Sequence, residues 1–208
     1  MLKSYYCLAM LTGIAIAAGS CVYSHTDNNK TSGTANTLLE VAAYETVPFD
    51  SVEIVITDTA AVEGLLPLRY NYTTEEVEKM TQLLEQNDSS LNAQGLKYQW
   101  MENDESEKTN LVIFHQTPVL NQAVKVTDVK RLQGYDDTLT VTLLFRNKKQ
   151  WERITSANIG KRLVMEFNRE ILYDPWISMP ITEGECWLSL PASKVQTLLP
   201  DVDFSNLK

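Results

Sequence analysis

The chain has 208 residues, with 18 Lys and Arg against 27 Asp and Glu and a formal net charge of −9. That length supports one sizeable core or two small ones. The acidic balance argues against nucleic acid, where neutralised phosphates dominate affinity, and against a surface that lies on anionic lipid by its own charge.

Lys3 is the only charge before Asp27, and an apolar run follows it from Tyr5 to Ala18. A short positive region, an apolar stretch and then small residues is the layout of an export signal. Ala18-Gly19-Ser20-Cys21 resembles the lipobox of bacterial lipoproteins, in which the cysteine becomes the lipidated first residue. The family more often has Leu where Ala18 stands. The resemblance implies cleavage before Cys21 and attachment to a membrane through lipid on that residue. It places the protein in the bacterial cell envelope, on the periplasmic side of either membrane or at the surface. An ordinary cleaved signal with an incidental Cys21 is one alternative. An uncleaved anchor is another, although the run is short against the roughly 20 apolar residues of a spanning helix.

Removing residues 1–20 leaves 188 of the 208 and takes one lysine, so the charge moves from −9 to −10. Three cysteines are present. Cys7 leaves with the signal and Cys21 takes the lipid. Cys186 then has no partner, and an exported protein without a disulfide relies on its core. Cys186 sits in an alternating strand pattern and reads as a small buried residue. A nucleophilic thiol would need an electropositive setting and a nearby base, and the mature chain offers only His25 and His115.

Residues 22–37 are small and polar without period, a flexible tether together with Cys21. His25 and Asp27 lie there without a ligand cluster, so no metal is expected. Residues 38–200 are read as a single domain, with 201–208 as a tail. Leu38 to Thr46 and Ser51 to Asp58 both read as strands, the second alternating for part of its length at Val52, Ile54 and Ile56, with Pro48-Phe49-Asp50 as the turn between them. A helix starts after Thr73, where Glu76 completes a capping box and Val77, Met80, Leu83 and Leu84 share a face. Asn87 to Ser90 closes it. Residues 97–101 and 109–116 read as a strand pair. Glu102 to Lys108 holds four acids in six residues, but it lacks the alternation and central Gly of a calcium loop. It reads as a solvated turn, and His115 as a structural histidine.

Asp137 to Arg146 alternates as a strand. Asn147 caps a helix bearing Trp151, Ile154 and Ala157, which ends at Gly160. Arg162 to Phe167 and residues 185–190 are further strands, and Ala192 to Leu199 is a short helix. Strands with local antiparallel pairing and two or three helices predict an α+β domain. Its antiparallel or mixed sheet would be covered on one face by two main helices, those starting near Thr73 and Asn147.

Trp151-x-x-Ile154-Thr155-x-x-Asn158-Ile159-Gly160-Lys161-x-Leu163 resembles a signature of the periplasmic head of SecD, the first large external domain of the SecDF export protein. Met165-Glu166-Phe167, Pro175-x-Ile177, Ile181 and Gly184 match the elements that follow it there. The resemblance is concentrated in residues 137–190 and thin over 38–136. Where the family has Asp-Gly after the Met165 strand, this chain has Asn168-Arg169, so that turn is expected to differ. The membrane helices and proton-coupling acids of SecDF have no counterpart here, so the chain is not expected to drive translocation as SecDF does.

Each of Trp151, Thr155, Asn158, Gly160, Lys161, Pro175 and Gly184 has a folding role available to it, so the signature speaks to fold before function. The resemblance implies a protein or peptide partner and a non-catalytic binding role. Trp176, Ile177 and Met179 in the loop after Pro175 are the candidate contact residues, since aromatics and Met recur at protein contacts. Packing of that loop on the sheet edge is the plainer reading, and addition of a peptide to a strand edge is another. A structural or accessory subunit of an envelope complex is the second functional reading. A hydrolase is the third, without a nucleophile elbow, zinc pattern or phosphate loop to carry it. No cofactor is expected.

Overall fold

The computed structural model describes residues 37–56, 72–102 and 109–202, with Phe204 and Leu207. Its elements in chain order are β1 (Leu38–Glu45), a 3-10 turn (Phe49–Ser51), α1 (Thr74–Gln86), α2 (Asp88–Ala93), β2 (Leu96–Glu102) and β3 (Thr109–His115). Then come β4 (Leu120–Leu132), β5 (Tyr135–Leu144), α3 (Lys148–Ala157), β6 (Leu163–Phe167), β7 (Glu170–Tyr173), β8 (Glu185–Pro191) and α4 (Ala192–Leu198). Six strands form one sheet in the order β7-β6-β1-β4-β5-β8, and β2 and β3 pair separately. Every strand pair is antiparallel, so the fold is α+β as expected. Cys21, the tether to residue 36 and residues 103–108 of the acidic stretch lie outside the described residues.

β1 sits in the middle of the large sheet, between β4 and β6. It turns Leu39, Val41 and Ala43 into the main core, and Val124, Val141, Leu143, Met165 and Leu188 join them from the neighbouring strands. α3 lies on this face with Trp151 and Ile154. The Trp151 ring stacks flat on Phe145, 4.2 Å between centroids and 4° between planes. α4 adds Val195 and Leu198. The tail expected beyond residue 200 joins this core. Val202 is buried in it, and Phe204 and Leu207 pack against it.

α1 begins as its capping box dictates. The Glu76 amide donates to Thr73 Oγ1 at 3.4 Å, and the Thr73 amide donates to Glu76 Oε2 at 2.9 Å. Its destination differs from the expectation. Met80, Leu83 and Leu84 pack with Leu91, Leu96 and Ile113 over the β2–β3 pair. The two helices on the large sheet are therefore α3 and α4. An apolar stripe shows that a helix buries one face; it does not name the sheet that face meets.

Ser51 to Asp58 is not a strand over its described part. Residues 53–55 are nonetheless held as a strand would be, by side-chain amides in place of a neighbouring backbone. Asn87, itself buried, accepts from the Val55 amide at 2.6 Å and donates to the Val55 carbonyl at 3.0 Å. Gln94 does the same for Glu53, at 2.9 and 2.8 Å. A carboxamide carries the same donor and acceptor as a peptide unit, which is why the substitution works.

β4 and β7 escaped the sequence reading. β4 is the longest strand at 13 residues, but its register against β5 shifts between Val126 and Asp128 and again between Arg131 and Leu132. A bulge flips the side-chain phase, so no continuous period of two survives. β7 has four residues and follows a two-residue turn. Asn168 and Arg169 there have φ of 49° and 71°, the doubly left-handed form that suits hairpins. Asn168 tolerates it and also accepts the Glu40 amide at 3.1 Å. Arg169 has no such compensation. Arg169→Gly should therefore raise stability by up to about 1 kcal/mol, visible as a higher Tm in thermal melts. An unchanged or lower Tm would mean that the arginine side chain offsets the backbone strain.

Candidate functional site

The end of α3 is built by the signature residues. Thr155 Oγ1 donates back to the Trp151 carbonyl at 3.0 Å and accepts from the Ile181 amide at 2.9 Å. Asn158 is buried, and its Nδ2 donates to the Ile154 carbonyl at 3.0 Å and to Glu45 Oε1 at 3.1 Å. That side chain thus ties the helix end to β1. Gly160 follows with φ of 76°, which turns the chain out of the helix.

Residues 160–163 then run antiparallel to 175–177. The Gly160 amide donates to the Ile177 carbonyl at 2.8 Å, the Ile177 amide to the Lys161 carbonyl at 2.9 Å, and the Leu163 amide to the Pro175 carbonyl at 3.1 Å. Lys161 and Pro175 thus contribute through their backbone carbonyls. Gly184 has φ of 72°, and its carbonyl accepts from the Phe145 amide at 2.8 Å. An added Cβ there would lie 2.7 Å from Lys148 Cγ and 3.2 Å from the Phe145 carbonyl oxygen.

This short ribbon forms one wall of a groove of about 310 Å³, near the lower end of ligand cleft sizes of roughly 300–1,000 Å³. Residues 46–50, Tyr72 and residues 111–113 of β3 also line it, as do Arg162, Asp174 and Trp176. Arg162 Nη1 donates to the Asp174 carbonyl at 2.8 Å and to its Oδ2 at 3.0 Å. Burial pushes the Asp174 carboxyl above its usual range, and the arginine beside it pulls it back.

The three candidate contact residues part company here. Trp176 is 49% exposed and lines the groove. Met179 is 39% exposed but is not among the lining residues. Ile177 is 1% exposed and belongs to the main core, so it offers nothing to a partner. Along an extended ribbon neighbouring side chains face opposite ways, and an exposed Trp176 therefore sends Ile177 inward. The sequence reading missed Phe49, Tyr72 and Leu111. Pro48-Phe49-Asp50 signalled only a turn, and no local pattern relates it to β3.

Cys186 faces the main core from β8. Burial pushes its thiol up to about 12, so it stays protonated at neutral pH, the opposite of what a nucleophile needs. His115 is exposed at the end of β3, opposite Leu96 on β2.

Two outcomes follow from this packing. Gly184→Ala should cost about 2 kcal/mol, read as a lower urea midpoint, because both backbone angle and space oppose a side chain. Cys186 in the native protein should resist iodoacetamide at pH 8 and react once urea unfolds the chain. Rapid native labelling would show that β8 opens without global unfolding.

No family model matches the chain, and no curated protein matches its sequence. Among solved structures it is similar to SecDF, described as a membrane component that enhances protein export, with 18% identity and a TM-score of 0.35. The match covers 79% of this chain and 59% of that one. It is also similar to SecDF in its super-membrane-facing form, at 18% identity and a TM-score of 0.34, over 79% of this chain and 18% of that one. The chain thus spans less than two thirds of either SecDF chain it is similar to.

Proposed function

We propose that this protein is a lipid-anchored, non-catalytic module that holds polypeptide on the periplasmic side of a bacterial membrane. Residues 1–20 direct export, Cys21 carries the lipid, residues 21–37 form the tether, and residues 38–200, with the tail that packs on their core, are the binding domain. The signature from Trp151 to Gly184 supports a head of the SecD kind, and SecDF itself is described as enhancing protein export. The carrying observation is the groove with Trp176 half exposed in its wall. A large aromatic at the rim of an apolar cleft is the kind of anchor that dominates protein contacts.

Trp176→Ala should cut the polypeptide captured by this protein in native membranes several-fold and leave the Tm nearly unchanged. Exposed substitutions away from packing typically shift stability by less than about 0.5 kcal/mol. A collapse in Tm would assign Trp176 to packing instead. A photo-crosslinker at Trp176 then reads the partner. Many unrelated polypeptides support the binding module. One fixed partner in constant ratio supports the second reading, an accessory subunit of an envelope complex, which shares the anchor and the domain.

A further inference from the structure

We infer that the outer face of α3 lies against the anionic headgroups of the membrane that holds the lipid on Cys21. This goes beyond polypeptide binding and rests on the anchor proposed above.

The chain is acidic as a whole, so an attraction to anionic lipid has to be local. Residues 146–162 hold six bases and one acid, a net of +5 in a chain of net −9. α3 is the centre of this run. Trp151, Ile154, Thr155 and Asn158 are buried on its inner side. At about 3.6 residues per turn, Lys149, Arg153 and Ser156 fall on the opposite side, and all three are exposed. Arg146, Lys148 and Lys161 are exposed at the two ends of the helix. Arg162, the sixth base, bonds to Asp174. The other five form no ion pair among the described residues. Glu152 shares the helix, and Glu183 and Glu185 flank Gly184 where it meets Lys148. None of these three acids is paired with them.

Folding does not account for these charges. The first turn of a helix carries partial positive charge, which favours acids there. α1 follows that rule with Glu75 and Glu76. α3 opens on Lys148 and Lys149 with no acid in its first turn, and Arg146 stands just ahead. This arrangement costs stability unless an anionic partner lies outside the molecule.

The tether leaves the domain at the same place. Leu38 pairs with Lys125, Lys125 with Leu144, and Leu144 with Glu185, so the four form one row across the rim of the large sheet. Neighbouring strands are about 4.8 Å apart, which puts Leu38 about 10 Å from Leu144. The chain enters the sheet at Leu38, and β5 leaves the same rim at Leu144, just before Arg146. A flexible tether of residues 21–37 has a mean reach of roughly 20–25 Å. The lipid therefore keeps α3 close to the bilayer, and a weak attraction acts there at high effective concentration. Each base near an anionic surface strengthens it by about fivefold. Ile159, 48% exposed beside Lys161, adds an apolar side chain that the headgroup region can take up.

The test uses the full chain matured in a bacterial host and purified from its membranes, with mass spectrometry reading the acyl groups on Cys21. Ser156→Cys carries a bimane on the outer face of α3, and the native Cys186 is buried. The protein is reconstituted into vesicles of phosphatidylcholine alone, or of phosphatidylcholine and phosphatidylglycerol in equal parts. Both contain a trace of lipid with a nitroxide headgroup. Quenching should be strong only with phosphatidylglycerol and should vanish in high salt, where exposed charges are screened. Lys149→Gln with Arg153→Gln should lower the docked-to-free ratio at least about tenfold. Its Tm should be unchanged or higher, because a lysine leaves the first turn of the helix. An unquenched bimane overturns the docking, as does equal quenching in both kinds of vesicle. An acidic protein crosslinked at position 156 in native membranes, with the bimane unquenched, assigns the face to that protein instead. Cys21 without acyl groups removes the proposed anchor. Flotation of that unanchored protein with the same vesicles then reads the docking alone: a preference for phosphatidylglycerol supports it, and no preference overturns it. Clients at the Trp176 crosslinker bear on the binding role and not on this face.

Discussion

The turn out of α3 is the constraint on which the rest of the site depends. Asn158 bonds at once to the last turn of the helix and to Glu45 at the end of β1. Gly160 supplies the left-handed residue that lets the chain double back against 175–177. Without that reversal β6 would not enter the sheet beside β1, and the ribbon carrying Trp176 would have no fixed position. The helix end is thus set by one carboxamide and one backbone angle, both inside a few residues of sequence.

The groove lies at a seam between two packed units. One is the six-stranded sheet under α3 and α4, and the other is the β2–β3 pair under α1 and α2. Residues 44–47 stitch them together. Tyr44 packs against Phe114, 5.3 Å between ring centroids, and its hydroxyl donates to Glu166 at 3.0 Å. Thr46 Oγ1 donates to the Arg162 carbonyl at 2.8 Å. Val112 and Phe114 of β3 complete the seam by packing on Val164 of the large sheet. A cleft at such a junction has walls from elements far apart in the chain. Substitutions that loosen either core therefore reach it through position, even where they touch no lining residue.

Legibility followed the range of the physics involved. Local rules carried well. The capping box at Thr73, the cap at Asn147 and the alternation around Cys186 are each set within a few residues, and each appears where the pattern put it. Long-range partnership did not carry. The run at 51–56 has a strand's alternation, yet its backbone partners are the side chains of Asn87 and Gln94, some 30 to 40 positions away. The helix at Thr73 shows its apolar face but not its sheet. The groove is less legible still, because its lining comes from residues near 46, 72, 111, 160 and 176. Only Trp176 could be picked in advance, as an aromatic in a proline-bounded loop.

The ribbon at 175–177 shows how one short segment divides two tasks. Pro175 gives its carbonyl to Leu163, and Ile177 gives both backbone groups to Gly160 and Lys161 and its side chain to the core. Those bonds leave no freedom in the position of the residue between them. Trp176 is held at both neighbours and has its own side chain outside the core. A rotamer-poor aromatic on a backbone fixed on either side loses little entropy when a partner covers it. The rigidity that the signature residues impose is therefore the property that makes the exposed indole useful, and fold and contact are two faces of one alternation.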